Sequence, residues 1–377
     1  MNSKLDKEYN FDNGNSIGII DAPRSGYDQL IEAISSAKET IYFAGYCFRP
    51  GFLFNEFEKS LIDAAKRGVV TYILADHHGS NSTRKSSIER LTKAGAIWVF
   101  YRPLSFAYAP TYDFRLHKKL LIIDNKVAFT GGLGIDDSWI QASAKYPKPW
   151  VDTHFKIEGR IVDDMQKSFI SSWNAFCPKE YELSFNPEGR DQTSGVQIAA
   201  IESPPNLNTT RAGKLYIDMV DTAKDSIYAT TAYFGPPRKF RLALQRAAKR
   251  GVRVNLMVNG EYNTHHYAAE AGRRWYKQLL VAGVRIYEYQ PTKIHSKLMT
   301  IDKQYTSIGS ANLNFRSFYT DAEFNLLVND QQFSSKILEE FERNLISSKR
   351  VTLDDVRSVG VIRRLYRFGV SLARVLY

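Results

Sequence analysis

Hydrophobic and polar positions along this 377-residue chain follow two alternating rhythms. Short runs rich in β-branched and aromatic residues read as strands: TIYFAGYCF (40–48), VVTYILADH (69–77), SIYATTAYF (226–234) and VRVNLMVNG (252–260). Between them, apolar residues recur at three- and four-residue spacing. FNEFEKSLIDAAKRG (54–68) and RKFRLALQRAAKRG (238–251) therefore read as amphipathic helices that stop at a glycine, a common C-cap. Strand and helix alternate in this way through both halves of the chain, which predicts an α/β fold with mixed sheets.

The pattern also repeats in sequence. IEAISSAKETIYFAGYCF (31–48) is answered by YIDMVDTAKDSIYATTAYF (216–234), and LIDAAKRGVVTYILADHHGS (61–80) by LQRAAKRGVRVNLMVNGEYN (244–263). LTKAGAIWVFYRP (91–103) is answered by LLVAGVRIYEYQP (279–291). Matching blocks in one order, two copies only, indicate a duplicated domain and not a solenoid, whose period is about 20–50 residues. The expected organisation is a first lobe over 1–185, a polar linker NPEGRDQTSG over 186–195, a second lobe over 196–350, and a tail over 351–377.

Both copies carry the same unusual stretch, RLHKKLLIID (115–124) and KIHSKLMTID (293–302). If each is a strand, His117 and Lys119 share one face, as do His295 and Lys297, because side chains repeat with period two. Both continue past Asp124 and Asp302 into a small-residue pair, Gly131-Gly132 and Gly309-Ser310, and the second copy adds Asn312. A lone His-x-Lys is ordinarily surface polarity. Its retention in two copies, with the same turn downstream, favours a site. Imidazole serves as a nucleophile or as a general acid and base near neutral pH. Lysines and an amide can hold the non-bridging oxygens of a phosphodiester without a metal. Neither copy alone has both a nucleophile and an acid, so the two lobes are expected to be pseudo-twofold related around a shared site.

The two His-x-Lys-x4-Asp motifs resemble those of the phospholipase D superfamily, and the resemblance covers nearly the whole chain. DTHFKIEGRIVDDMQKSFISSWN (152–174) and GSANLNFRSFYTDAEFNLLV (309–328) are most similar to the bacterial cardiolipin synthase branch, with Asp152, His154, Gly159, Trp173, Arg316 and Asn325 in the family's places. The resemblance implies two tandem α-β-α lobes and a phosphohistidine intermediate, with His117, Lys119, His295, Lys297 and Asn312 catalytic and His117 as nucleophile. It implies supporting roles for Asp124, Asp302, Ser310 and Glu323. It also implies no cofactor or metal, and phosphatidylglycerol as substrate, two molecules being joined into cardiolipin with release of glycerol. Relatives often carry Asn where the first copy has Gly134. A hydrolase or a transferase using another alcohol is the nearest alternative, and a superfamily nuclease is the alternative of a different class.

Composition sharpens this. At 44% hydrophobic and 24% charged the chain is globular, and two cysteines give neither a disulfide framework nor a metal site. A net charge of +11 favours phosphate-rich partners: here an anionic membrane surface, with nucleic acid not expected and the oligomeric state open. No run reaches the roughly 18 apolar residues of a spanning helix, and the polar N-terminus lacks a secretory h-region. The expected location is peripheral, on the cytoplasmic face of the cell membrane. The tail VRSVGVIRRLYRFGVSLARVLY has five arginines and no acid. On a helical wheel Arg363, Arg364, Arg367 and Arg374 oppose an aliphatic side, which reads either as a membrane-surface helix bound through its arginines or as a terminal helix with a solvated arginine face. The adjacent pairs His77-His78 and His265-His266 read as rim or loop polarity. Tyr108, Tyr112 and Phe114 are candidates to line an acyl channel.

Overall fold

The computed structural model describes residues 3–20, 23–105, 111, 113–187, 195–206 and 208–372. Tyr108, Tyr112 and Arg374 lie outside the described residues, as does most of the expected linker. The first half contributes strands β1 (Asp12–Ile20), β2 (Thr40–Gly45), β3 (Val70–Asp76), β4 (Ile97–Tyr101), β5 (Leu120–Ile123), β6 (Val127–Gly131) and β7 (His154–Glu158). The second contributes β8 (Val196–Ser203), β9 (Ser226–Thr230), β10 (Arg253–Asn259), β11 (Arg285–Tyr289), β12 (Leu298–Ile301), β13 (Tyr305–Gly309), β14 (Glu323–Asn329) and β15 (Ser348–Arg350). All belong to one 15-stranded sheet.

β1 and β8 pair antiparallel and form the seam. Outward from it the order is β1-β7-β6-β5-β2-β3-β4 on one side and β8-β14-β13-β12-β9-β10-β11 on the other, so the duplication is visible strand by strand; β15 adds one unmatched strand outside β11. In each half β2-β3-β4 or β9-β10-β11 are parallel and the rest antiparallel, which makes the sheet mixed. The two lobes are therefore not separate sandwiches: their sheets fuse edge to edge.

Helices cover both faces. On one face each half keeps its own core, with Tyr27, Leu30, Phe54 and Phe57 in the first and Leu215, Met219, Phe240 and Leu244 in the second. On the other face a single core crosses the seam. Phe169 and Trp173 of helix Ile161–Asn174 and Phe333 and Ile337 of helix Gln331–Leu345 belong to it, with Leu120, Ile122, Leu298 and Ile308 from the sheet. The chain's first residues also cross over. Helix Lys4–Glu8 buries Leu5 in the second half's core, and Lys4 and Tyr9 both bind Asp218. The glycine stops of the two matching helices, Gly68 and Gly251, have φ of 91° and 92°, the left-handed conformation that a C′ glycine adopts.

The histidine–lysine segments differ from the sequence reading. They are extended, but the ladder starts only at Leu120 and Leu298, after the second motif position. Their backbone groups instead bridge to the opposite half. His117 N donates to Ala322 O (2.8 Å) and Ala322 N to Arg115 O (2.8 Å). Symmetrically, Val151 N donates to Lys293 O (2.9 Å) and His295 N to Val151 O (2.6 Å).

The motif aspartates close the hairpins that follow. Asp124-Asn125 and Asp302-Lys303 all have positive φ, between 51° and 53°, as both central residues of a type I′ turn require. Each carboxylate then accepts from three successive backbone N–H groups: Lys38, Glu39 and Thr40 at Asp124, and Lys224, Asp225 and Ser226 at Asp302. Each thus fixes the start of the strand beside its hairpin, β2 or β9. Asp124→Ala loses three charge-assisted bonds and places alanine at an unfavourable φ. It is expected to cost roughly 2–4 kcal/mol in urea unfolding while leaving the affinity of folded protein for substrate unchanged.

Candidate active site

The bridges between the halves bring each imidazole to a carboxylate it does not share a half with. His117 Nδ1 lies 2.9 Å from Glu323 Oε2, at the start of β14, and His295 Nδ1 lies 2.8 Å from Asp152 Oδ2, just before β7. Ladder register makes these carboxylates equivalent: Gly131 faces His154 and Gly309 faces Asn325, so Asp152 and Glu323 each stand two positions earlier. Ionised carboxylates accept only, so each imidazole presents Nδ1–H to its partner and leaves Nε2 for chemistry.

Each carboxylate is itself held, by different means. Glu323 accepts from Ser310 Oγ and from Ser317 Oγ (2.6 Å). In the first half the residue matching Ser310 is Gly132, where a Cβ would stand 2.1 Å from the Asp152 carboxylate. The missing hydroxyl is replaced by an indole: Trp139 Nε1 donates to Asp152 Oδ2 at 2.8 Å. This explains Gly134 where Asn312 stands in the second half. A Cβ on Gly134 would lie 2.5 Å from the Trp139 ring, so the indole occupies the space of an amide. Trp139 also meets the His295 ring edge-on at 5.0 Å, and Trp150 stacks beside it at 6.0 Å. The two halves of the site are thus alike in backbone and unlike in surroundings.

Burial pushes the pKa of both histidines down. At each the partner carboxylate opposes this without reversing it, and neighbouring lysines reinforce it: Lys119 at His117, Lys297 and Lys293 at His295. Burial alone would raise Asp152 and Glu323, yet the imidazole and lysine beside each hold both carboxyls below their ordinary range. Lys119 and Lys297 are buried. Lys119 donates to His117 O at 2.7 Å, and Lys297 Nζ lies 3.2 Å from His295 Nε2, the nitrogen not turned to Asp152. Asn312 Oδ1 accepts from Thr231 Oγ1 and Tyr233 N, both at 3.3 Å, which leaves its NH2 group for the cleft it lines.

That cleft encloses about 230 Å³, and His117, Asn312, Tyr46, Tyr233, Arg316 and His265 are among its lining residues. Tyr233 is also 6.4 Å from the His295 ring. His78 and His265, read from sequence as rim or plain loop polarity, both line the cleft; His154 is buried elsewhere, against Tyr27. Phe114 packs under Arg102. Asp124 and Asp302 hold strand starts and do not line the cleft. Among the described residues no three His, Cys, Asp or Glu side chains converge to hold a metal ion.

Two side chains whose charge acts on His295 escaped the sequence reading of roles. Asp152 is one; its signal was the register just described. Lys293 is the other. It matches Arg115, which is 3.7 Å from Asp76, but the residue matching Asp76 is the neutral Asn259. Lys293 instead donates to Tyr233 Oη (2.9 Å) and Thr264 Oγ1 (3.0 Å) and sits 3.9 Å over the Trp150 ring. Burial lowers its pKa to about 7.

His295, Lys119 and Lys297 are not among the residues that line the cleft; His295 stands beside its Tyr233 wall. A duplicated α/β chain whose halves exchange carboxylate–imidazole contacts in this way is of the phospholipase D class. Comparison narrows the assignment: the family model described as "Cardiolipin synthase, PLD-like domain" matches residues 30–147 and 216–345, and the chain belongs to that family. It is similar to the cardiolipin synthase of Oceanobacillus iheyensis, 31% identical over 96% of this chain and 74% of that one. It is 30% identical to the major cardiolipin synthase of Bacillus subtilis over 92% of this chain and 72% of that one. Phosphatidylserine synthase of Haemophilus influenzae superposes with a TM-score of 0.77 over 98% of each chain at 15% identity, which is a likeness of fold.

The Trp139 packing gives a test. Gly134→Asn, which restores the amide found in the second half, drives a side chain into the indole. The expected outcome is a loss of about 1–3 kcal/mol by thermal unfolding, together with reduced turnover, because the Asp152–His295 contact is displaced. Gly134→Asn combined with Trp139→Ala is expected to relieve the clash yet recover neither stability nor turnover, because the buried indole and its bond to Asp152 are lost.

Proposed function

We propose that this chain transfers a phosphatidyl group from one phosphatidylglycerol to a hydroxyl of a second, forming cardiolipin and releasing glycerol. The donor phosphate lies in the cleft with its non-bridging oxygens on Lys119, Lys297 and the Asn312 amide. His117 Nε2 attacks phosphorus, the bond to the headgroup glycerol breaks, and His295 gives that oxygen a proton. A hydroxyl of the second lipid then loses its proton to His295 and attacks the phosphohistidine, which frees His117. Protons and the phosphoryl group balance over the two steps, with no net change in the enzyme. The anionic phosphate offsets the burial that keeps His295 neutral in the empty enzyme, which makes the imidazole basic enough to carry the proton.

The observation that supports this reading is the exchange of Asp152 and Glu323 between halves, each beside the Nδ1 of a motif histidine, with His117 lining the cleft and His295 next to the cleft-lining Tyr233. The +11 charge suits an anionic lipid. No described helix is long and apolar enough to cross a membrane, so we place the enzyme peripherally. We assign it to the cytoplasmic face, in keeping with two free cysteines.

His295→Ala is expected to lower turnover roughly 10²–10⁴-fold and to let a labelled phosphoenzyme accumulate, whereas His117→Ala forms none. Label trapped only in His117→Ala would exchange the two roles. Mass spectrometry of the products separates cardiolipin from the phosphatidic acid that a hydrolase would release.

Nucleophilic attack needs neutral His117. Because burial lowers its pKa, the neutral form persists below the ordinary value near 6.5 and is lost only as pH falls further. The acid limb of kcat/KM on a soluble short-chain substrate is therefore expected to have its midpoint below pH 6.5. A midpoint above that value contradicts the assignment.

A further inference from the structure

The tail is helical over Val361–Leu372, but its faces are reversed from the sequence reading. Arg363 and Arg367, expected to meet lipid or solvent, both bind Glu270, a fully buried carboxylate; Arg367 is buried there, while the Arg363 side chain stays 55% exposed. Arg363 donates to both Glu270 oxygens (2.8 and 3.0 Å), Arg367 donates at 2.8 Å, and Arg273 adds a third guanidinium at 2.8 Å. Val370 packs on Ala268 and Ala271 beside them. Arg364 faces outward, donating to Arg357 O.

The apolar side is left facing out. Ile362 is 86% exposed, Val361 69%, Leu372 67% and Leu365 66%, with Phe368 and Tyr366 half exposed. These side chains are contiguous on one short helix, which single exposed hydrophobics elsewhere on the surface are not. Alongside them runs a groove of about 340 Å³ lined by Arg274, Lys277, Arg357, Arg364, Arg367 and Phe368, among others, and, among the described residues, by no carboxylate.

We propose that this ridge and groove form the seat for an anionic phospholipid bilayer. The apolar side chains enter the acyl boundary, the groove cations meet lipid phosphates, and Arg363 and Arg367 stay bound to Glu270. An apolar ridge beside a cationic groove is complementary to such a surface and not to water. The seat also has an address. Glu270 lies on helix His266–Arg273, whose N-terminal end adjoins the cleft-lining His265 and Tyr267. Eight residues of helix span about 12 Å, so a bilayer held by the tail lies close to the mouth of the cleft. The inference rests on the phosphatidyl-transfer reading only for the lipid's being a substrate as well as a support.

The test uses the full chain with vesicles of phosphatidylcholine, alone and with phosphatidylglycerol. Co-sedimentation reads binding, short-chain phosphatidylglycerol below its micellar concentration reads chemistry, and light scattering reads mass. Ile362→Asp with Leu365→Asp is expected to lower binding to phosphatidylglycerol vesicles by about tenfold or more while short-chain turnover stays at the parent value. Arg274→Glu with Lys277→Glu is expected to remove the preference for phosphatidylglycerol. Unchanged binding in the first variant overturns the proposal. So does a parent dimer that this variant splits, since the ridge would then be covered by a second copy. If the parent fails to turn over the soluble lipid, the catalytic reading falls, and the binding comparison still decides this one.

Discussion

Each of the two motif histidines is held by a carboxylate from the other half of the chain, and the rest of the architecture serves that exchange. Glu323 can reach His117 only because Ala322 and Leu116 lie side by side, and Asp152 reaches His295 because Val151 and Ile294 do the same. Those bridges need the two sheets at a fixed distance, which the β1–β8 seam and the core beneath it provide. Taking one partner away leaves a buried carboxylate or imidazole with its charge or hydrogen uncompensated, at a cost well above that of a surface pair. The cleft and the seam are thus one structural unit.

Much of this was legible in the sequence. Duplication, the strand and helix order, and the glycine stops follow from periodicity that tertiary structure did not override. The motif residues were legible because polar side chains repeated where a buried strand would have none. What escaped depended on contacts between halves. Nothing local marks Asp152 as the partner of His295, since the two are joined by a bridge between distant segments. The ladder start at Leu120 and Leu298 was missed for the same reason: the residues before it are extended, but their hydrogen bonds go across the seam.

The tail shows a different limit. Its wheel separated arginine from aliphatic positions correctly, but amphipathicity does not say which side meets the body. One buried carboxylate decided that. Glu270 sits in a helix whose pattern, HYAAEAGR, looks unremarkable, and only packing shows that three guanidiniums converge on it.

The Gly132–Trp139 pairing has a consequence for the chemistry of symmetry. Two identical subunits meeting about a true axis must give both imidazoles the same neighbours. A fused chain is under no such obligation. Here one copy keeps the hydroxyl of Ser310 and the amide of Asn312, while the other replaces both with a single indole pressed against His295. Covalent duplication has let two histidines of common descent diverge in surroundings, and so in affinity for a proton, without moving either from its place.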